Sequence, residues 1–324
     1  MDKSRFSSGK LNIWRLLDGK PGHEHQTLGL VNAIKKQTDA SSFDVAVGAG
    51  AQAIFSILTS TWTLGESLPA PDLIIGAGHR THLPMLAAQR AYGGKTVCLM
   101  QPTLPVAWFD ACLIPEHDQY QGWGDFIETR GVLNHIQAQE VGRDPHRVII
   151  MIGGPSKHYA WDTALVVAQV YALVLRSPEK QHVLTTSRRT PPDFIKAVQR
   201  INFSNLDIIP FEETDKNWVA RELNSASYAW ITEDSVSMVY EGLTAHVAVG
   251  LINLERHRES RVTQGIQTLV RKGLVRRFDL ESNGQQQLKA TLGFNEARRC
   301  SELLLRHLFQ PAQGRKPRLV YRLA

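Results

Sequence analysis

Residues Arg147–Asp162 read RVIIMIGGPSKHYAWD, and the fold turns on how this stretch is parsed. Val148 to Ile152 is an apolar run of strand length. Gly153-Gly154-Pro155-Ser156 breaks it, and Trp161 to Leu175 resumes with helical spacing. A strand, a glycine turn and a helix make one βα unit of a Rossmann-like domain. Glycines admit close approach of a ligand, and the first amides of a helix are unpaired donors with partial positive charge, so phosphate is the guest such a turn suits. Lys157 and His158 add positive charge beside it. The same residues also fit a tight βα connection that binds nothing.

Toward the C-terminus the rhythm repeats. Strands are expected at Gln181 to Thr185, Leu206 to Ile209, Tyr228 to Ile231 and Val247 to Ile252, with helices at Asn217 to Ser225, through Glu241 to Leu243, and at Asn295 to Leu308. The loop after the second strand, Thr186-Ser187-Arg188-Arg189-Thr190-Pro191-Pro192, ends in prolines suited to the first turn of a helix. The loop after Ile231 carries Thr232, Glu233, Asp234, Ser235 and Ser237, with Asp234 or Ser235 a fitting N-cap. In this half Gly153, Gly154, Ser156 and Lys157 are candidates to hold a diphosphate, Arg188 and Arg189 to neutralise a departing phosphate, and Glu241 to accept hydrogen bonds from ribose hydroxyls. A plain turn, solvated arginines and a helix-face carboxylate are the corresponding bland readings.

The N-terminal half offers polar loops after its own strands, at Leu11 to Leu17, Phe43 to Val47, Leu73 to Gly78, Lys95 to Met100 and Ala111 to Ile114. Open α/β sheets place their sites at such strand ends. Asp18, Lys20, Gly22, Gly78 and Arg80 are the expected residues of an acceptor or second-anion side, and His23, Glu24 and Glu116 the candidates to take a proton. Pro21 to Gln26 is read as loop. Ala51 to Leu64 is apolar with few charges, a buried helix or a surface that dips among lipid headgroups. Residues 119 to 146 lack apolar periodicity, so domains are expected at 1–140 and 141–310, followed by a basic tail, 311–324.

The formal net charge is +6 over 324 residues. Arg256, Arg258, Arg261, Arg271, Lys272, Arg276 and Arg277 supply much of the excess, with Arg315, Lys316, Arg318 and Arg322 in the tail. A basic face attracts anionic lipid or phosphorylated substrate, or is simply solvated. No zinc finger, aromatic RNA-binding motif or heptad repeat is present, so nucleic acid is not an expected partner, whereas an anionic membrane surface is a candidate. The opening MDKSRFSSGK lacks the apolar core of a secretory signal, and no apolar run approaches the ~20 residues that span a bilayer. Cys98, Cys112 and Cys300 read as reduced structural thiols. The expectation is a cytoplasmic protein, at most peripheral on the inner membrane. Histidines are frequent, but H-E-x-x-H and paired C-x-x-C are missing, so neither a metal nor another cofactor is expected. G-x-S-x-G and G-x-G-x-x-G are missing too, which disfavours a hydrolase elbow and a nicotinamide site.

Six ordered blocks, DGKPGHEHQTLGL, IGAGHRTHLPMLAAQRAYGGKTVCLMQP, FDACLIPEHD, IGGPSKHYAWD, TTSRRTP and TEDSVSMVYEG, resemble the mitochondrial fission (elongated mitochondria) family over nearly the whole chain. Bacterial members of that family are similar to GT-B glycosyltransferases. The resemblance implies an α/β chain of two Rossmann-like domains facing across a cleft, with a nucleotide-sugar donor bound as substrate mostly by the second and an acceptor by the first. It implies a ribose contact for Glu241, and transfer of a sugar to a cell-envelope glycan or lipid. The plant member implies a different reading, a non-catalytic membrane-associated adaptor. A nucleoside-diphosphate-sugar epimerase is a third, disfavoured by the missing dinucleotide fingerprint. The chain departs from the related enzymes at Ala245-His246, where Gly-Pro is usual, which leaves that turn open.

Overall fold

A computed structural model describes residues 9–48, 62–139, 142–281, 287–309 and 320–322. The chain divides into two compact units, Met1–His135 with Asn295–Ala324, and Ile136–Phe294.

In the first unit β1 (Leu11–Leu17), β2 (Ala40–Ala46), β3 (Leu73–Ala77), β4 (Lys95–Leu99), β5 (Ala111–Pro115), β6 (Phe126–Thr129) and β13 (Val320–Tyr321) form a parallel seven-stranded sheet in the order β13-β6-β5-β4-β3-β1-β2. LIIGA and ACLIP are buried throughout because both faces of the sheet are covered, which is why parallel strands read as unbroken apolar runs. One face packs on α1 (Pro21–Gln37), through Leu30, Val31 and Ile34. The other packs on α2 (His79–Tyr92), through Met85, Ala87 and Ala88, together with Trp14, Trp62 and Phe126.

In the second unit β7 (Asp144–Met151), β8 (Gln181–Thr185), β9 (Leu206–Ile209), β10 (Ala226–Thr232), β11 (Ala248–Ile252) and β12 (Arg276–Arg277) form a six-stranded parallel sheet ordered β12-β11-β10-β7-β8-β9. Its helices are α3 (Thr163–Leu175), α4 (Pro192–Gln199), α5 (Trp218–Ser225), α6 (Val236–Thr244) and α7 (Arg261–Arg271). Both sheets are doubly wound, and each reverses its strand order once: between β1 and β3 in the first unit, between β7 and β10 in the second. At such a reversal the connections leave in opposite directions and open a crevice at the carboxyl ends of the two strands.

Several expectations are corrected. The last helix, α8 (Glu296–Phe309), does not close the second unit as the 141–310 boundary implied, but belongs to the first. Its apolar face, Ala297, Cys300, Leu304, Leu305 and Leu308, shares one core with Leu30 and Ile34. At about 1.5–3 kcal/mol for each fully buried large apolar side chain, that face holds the helix there. Glu296 adds a hydrogen bond from the Arg130 amide at 2.9 Å. Residues 21 to 26 are not loop: Pro21 opens α1, its missing amide falling where a helix start has no partner for one. Most of the apolar stretch 51–64 and of the basic tail lies outside the described residues. Trp62 within that stretch is buried against Trp14, with ring centroids 5.6 Å apart. Ala245-His246 forms a Schellman turn, the His246 and Val247 amides donating to the Leu243 and Gly242 carbonyls, with His246 at φ 61° where glycine is usual. Among the described residues no helix is long and apolar enough to cross a membrane.

Candidate functional site

Two constellations stand at the two sheet reversals. In the second unit three loops converge, those after β7, β8 and β10. The Gly153 amide donates to Thr232 Oγ1 at 2.7 Å and the Gly154 amide to Asp234 Oδ2 at 3.0 Å. Ser187 Oγ and Thr190 Oγ1 donate to the Gly153 carbonyl at 3.0 and 2.5 Å. Arg189 reaches across: one terminal nitrogen donates to the Gly154 and Pro155 carbonyls, both at 3.0 Å, the other to Asp234 Oδ2 at 2.7 Å and Ser235 Oγ at 3.2 Å. A Cβ on Gly153 would overlap the Asp234 carboxylate and Ser235 Oγ, and one on Gly154 would overlap the Arg189 backbone.

These contacts revise the expected phosphate cradle. The two glycines make room for the chain's own loops, and their amides are spent internally. The helix start expected to complete the cradle begins at Thr163 and is closed by Asp162, whose carboxylate accepts from the Leu165 amide at 3.1 Å. Ser156 is turned to local use as well, its Oγ accepting from the His158 and Tyr159 amides at 3.2 and 3.1 Å. Glu233 is buried, paired with Arg277 at 2.6 Å, and takes the Leu254 amide. Arg189, Asp234 and Ser235 form the knot itself.

Other polar groups of the same loops and of α6 stay uncommitted among the described residues. The start of α6 carries no side-chain cap, so its first amides are open donors at the positive end of the helix. Ser237 is exposed in that first turn, and Glu241, four residues on, lies on the same helix face. Among the described residues no side chain bonds the Glu241 carboxyl, and burial pushes it up to about 7. Lys157 and Arg188 are exposed and likewise without a partner among the described residues. One oxygen of Asp234, Oδ1, and the Tyr159 hydroxyl are buried with no hydrogen-bond partner among the described residues. The Tyr159 hydroxyl is pushed well above the usual tyrosine range by burial and then by the nearby Glu233 charge.

In the first unit Asp18 follows β1 and Gly78 follows β3, one on each side of the reversal. His23, in the first turn of α1, sets its Nδ1 2.8 Å from Asp18 Oδ2, and Asp18 Oδ1 accepts from the Lys20 amide at 3.1 Å. A Cβ on Gly78 would overlap the His23 ring. Asp18, His23 and Gly78 are thus brought together, with Lys20 lending its backbone. The side chain of Lys20 is exposed, as are Gly22 and Arg80. Glu24 is half-buried, and its carbonyl is held by Arg15 at 3.1 Å. Glu116 follows β5, separated from β1 by β3 and β4. Among the described residues no group of three or more His, Cys, Asp or Glu side chains is arranged for a metal ion.

Sequence reasoning missed Thr232, Thr190, Arg277 and the Asp18–His23 partnership. Proline at the helix start was the available signal for the last, since it fixes where α1 begins and hence which side chain turns back on the strand end.

Chains of known structure share this architecture. A structure from Listeria monocytogenes, provisionally assigned as a UDP-N-acetylglucosamine 2-epimerase, matches with a TM-score of 0.55 and 11% identity over 92% of this chain and 88% of that one. The UDP-GlcNAc 2-epimerase from Neisseria meningitidis, bound to UDP-GlcNAc, matches with a TM-score of 0.50 and 11% identity over 82% and 87%. At such identities the likeness is one of fold, of the GT-B type. An uncharacterized protein of Rickettsia prowazekii (strain Madrid E) is 24% identical over 91% of this chain and 98% of its own length. Residues 21–308 match the family described as Mitochondrial fission ELM1, and the chain belongs to that family.

Proposed function

We propose that the protein is a glycosyltransferase that moves a sugar from a nucleotide-activated donor to a glycan or lipid acceptor of the cell envelope. The observation that carries this reading is the set of uncommitted polar groups on the loops and helix of the second-unit knot. Supporting it are an uncapped start of α6, the cations Lys157 and Arg188, and the Glu241 carboxyl, all without a side-chain partner among the described residues and carried by α6 and by the loops that follow β7 and β8. Open amides with Lys157 and Arg188 suit a diphosphate, and Glu241 with Ser237 suits ribose hydroxyls. In the transfer, the bond from the anomeric carbon to the diphosphate breaks and its electron pair leaves with the nucleoside diphosphate, while an acceptor oxygen takes its place on carbon. Charge grows on the leaving phosphate, where fixed donors lower the barrier most. The two cations supply that stabilisation without a metal.

The Neisseria structure is named as binding UDP-GlcNAc, which makes that nucleotide sugar the first donor to try. The setting that fits is the cytoplasmic side of the inner membrane, with the basic segments meeting anionic lipid.

Isothermal titration of the protein with UDP, UDP-GlcNAc, ADP and CMP tests the reading. Binding of at least one nucleotide is expected, weakened tenfold or more by Glu241→Ala and by Lys157→Ala with Arg188→Ala. A folded protein that binds none of them overturns the transferase and leaves the non-catalytic adaptor. Conversion of the bound sugar to its 2-epimer, with no transfer, replaces it by an epimerase.

A further inference from the structure

We propose that the outward face of α3 is a self-association surface, on which a second copy of this chain docks about a two-fold axis. The inference concerns the second unit alone and stands apart from the transferase reading.

The sequence of α3 sets the problem. Thr163–Leu175 reads TALVVAQVYALVL, without an Asp, Glu, Lys or Arg. Val166, Val170, Leu173 and Val174 face the sheet and join its core. A helix with one buried face ordinarily turns polar and charged residues to water on the other, and α7 does so with Arg261, Gln264 and Arg271 exposed. The outward positions of α3 are Ala164, Ala168, Tyr171 and Leu175. All four are exposed, Tyr171 by 47% and Leu175 by 55%. The polar side chains of the helix are engaged elsewhere. Gln169 is buried, donating to the Asn253 carbonyl at 2.9 Å and accepting from its amide at 2.8 Å, while Thr163 donates to Asp193 at 2.7 Å. A helix apolar all round is one whose every side suits cover.

The apolar surface runs on past the helix. Tyr171 lies against Phe203, with ring centroids 5.2 Å apart. Arg176, next after Leu175, donates to the carbonyls of Asp279 and Leu280 at 2.7 and 2.5 Å, which brings Leu280, 41% exposed, beside the end of α3. A contiguous apolar patch rimmed by polar residues marks a place of contact rather than idle surface.

The pattern of the stripe points to its occupant. Ala164, Ala168, Tyr171 and Leu175 are spaced four, three and four apart, so their spacing is the same from either end. Two copies laid antiparallel, with the axis through the middle of the stripe, oppose Ala164 to the second copy's Leu175 and Ala168 to its Tyr171. Every large side chain then meets a small one, and each contact occurs twice, as an isologous interface requires. A parallel pair would set Tyr171 on Tyr171 and leave a gap between alanines. A lipid surface is the poorer match. Helices that lie among headgroups carry Lys or Arg on their polar side, and here Arg176 is turned onto two carbonyls. At about 1.5 Å per residue the stripe is only about 20 Å long. With its flanks it approaches the low end of specific interfaces, so the dimer should be weak, with a Kd on the order of 1–100 μM.

Sedimentation velocity of the full chain, at concentrations bracketing that range, should show the mass rising from one chain toward two. Ala168→Glu and Leu175→Glu should each raise Kd about tenfold or more by burying an unpaired charge. Both positions are exposed, so thermal unfolding of dilute protein should stay as in wild type. A swap tests the register. Ala168→Tyr alone opposes tyrosine to tyrosine and should weaken the dimer about tenfold, whereas Ala168→Tyr with Tyr171→Ala restores the match of large to small and should bring Kd back to within about threefold of wild type. A chain that stays monomeric at the highest concentration overturns the proposal. Flotation of that monomer with phosphatidylglycerol vesicles, abolished by Leu175→Glu, would give the face to a bilayer instead. A dimer indifferent to both glutamates, or one that the swap does not restore, overturns it too.

Discussion

Gly153 and Gly78 each follow a strand that flanks the reversal of its own sheet, yet they are crowded by different neighbours. Against Gly153 lie Asp234 and Ser235, which also satisfy Arg189 and the Gly154 amide, so the turn is closed on itself. Against Gly78 lies a histidine ring whose Nε2 has no partner among the described residues. A glycine at a strand end makes room, but whether for a ligand, for the chain or for a functional side chain depends on how many of the incoming polar groups are already paired. In the second unit the glycine amides are paired within the chain. In the first, the group that fills the space is an imidazole that stays partly exposed.

The sharpest break of this comparison is substitution of both glycines. Gly153→Ala should destabilise the second unit by about 2–3 kcal/mol, as overpacking against a buried carboxylate does, with loss of nucleotide binding. Gly78→Ala should cost the first unit only about 1 kcal/mol, because the half-exposed ring can swing away. Urea titration followed by hydrogen exchange in each unit checks both, and equal losses would erase the distinction. Asp234→Ala comes next. It strands the Gly154 amide and the cation of Arg189, whose side chain is 44% exposed and so partly rescued by water, giving an expected loss of about 2 kcal/mol.

How far this was legible depends on what each feature rests on. The central strands were readable because burial on both faces makes continuous apolar runs, as in Leu73–Ala77. Phe126–Thr129 was not, being four residues long and bearing a half-buried Glu128. Val262, Ile266 and Leu269 do mark α7 at helical spacing, a signal that was present and unread. The allegiance of α8 was unreadable in principle, since an amphipathic stripe says that a core is covered and not which one. The same limit governs the site. Loops after successive strands pointed to Gly153, Asp234 and Ser235, but local pattern does not tell which of two adjacent arginines turns inward, and Arg189 does so while Arg188 stays out.

The units should also differ in the sign of a pH effect. Burial raises Glu241 from 4.5 to about 7, so between those values the folded second unit keeps a proton that the unfolded chain has released. Its stability from this group is complete below pH 4.5 and is lost as pH rises through 7. Allowing for partial solvent access, Glu241→Gln should gain about 1–2 kcal/mol on wild type between pH 4.5 and 8, read by denaturation at each pH. A flat difference would mean that the carboxyl is solvated and that its lack of a partner has no bearing on ligand recognition.

The first unit carries the opposite case in His135. Burial and then the neighbouring His25, whose ring centroid is 4.6 Å away, lower it from 6.5 to about 4, and its Nδ1 is buried without a partner among the described residues. Here the unfolded chain binds the proton that the fold refuses. Stability from this group is therefore present above pH 6.5 and is lost as pH falls toward 4. The ring is half-buried, so the expected slope is modest: His135→Asn should hold on to about 1 kcal/mol more than wild type on going from pH 7 to 4.5, and His25→Ala, which removes only the lesser cause, about 0.3–0.5 kcal/mol. Hydrogen exchange in β1 and α1 at the two pH values would show it. Were His25→Ala to match or exceed His135→Asn, repulsion between the rings would outweigh burial, and the acid sensitivity of the first unit would belong to the pair.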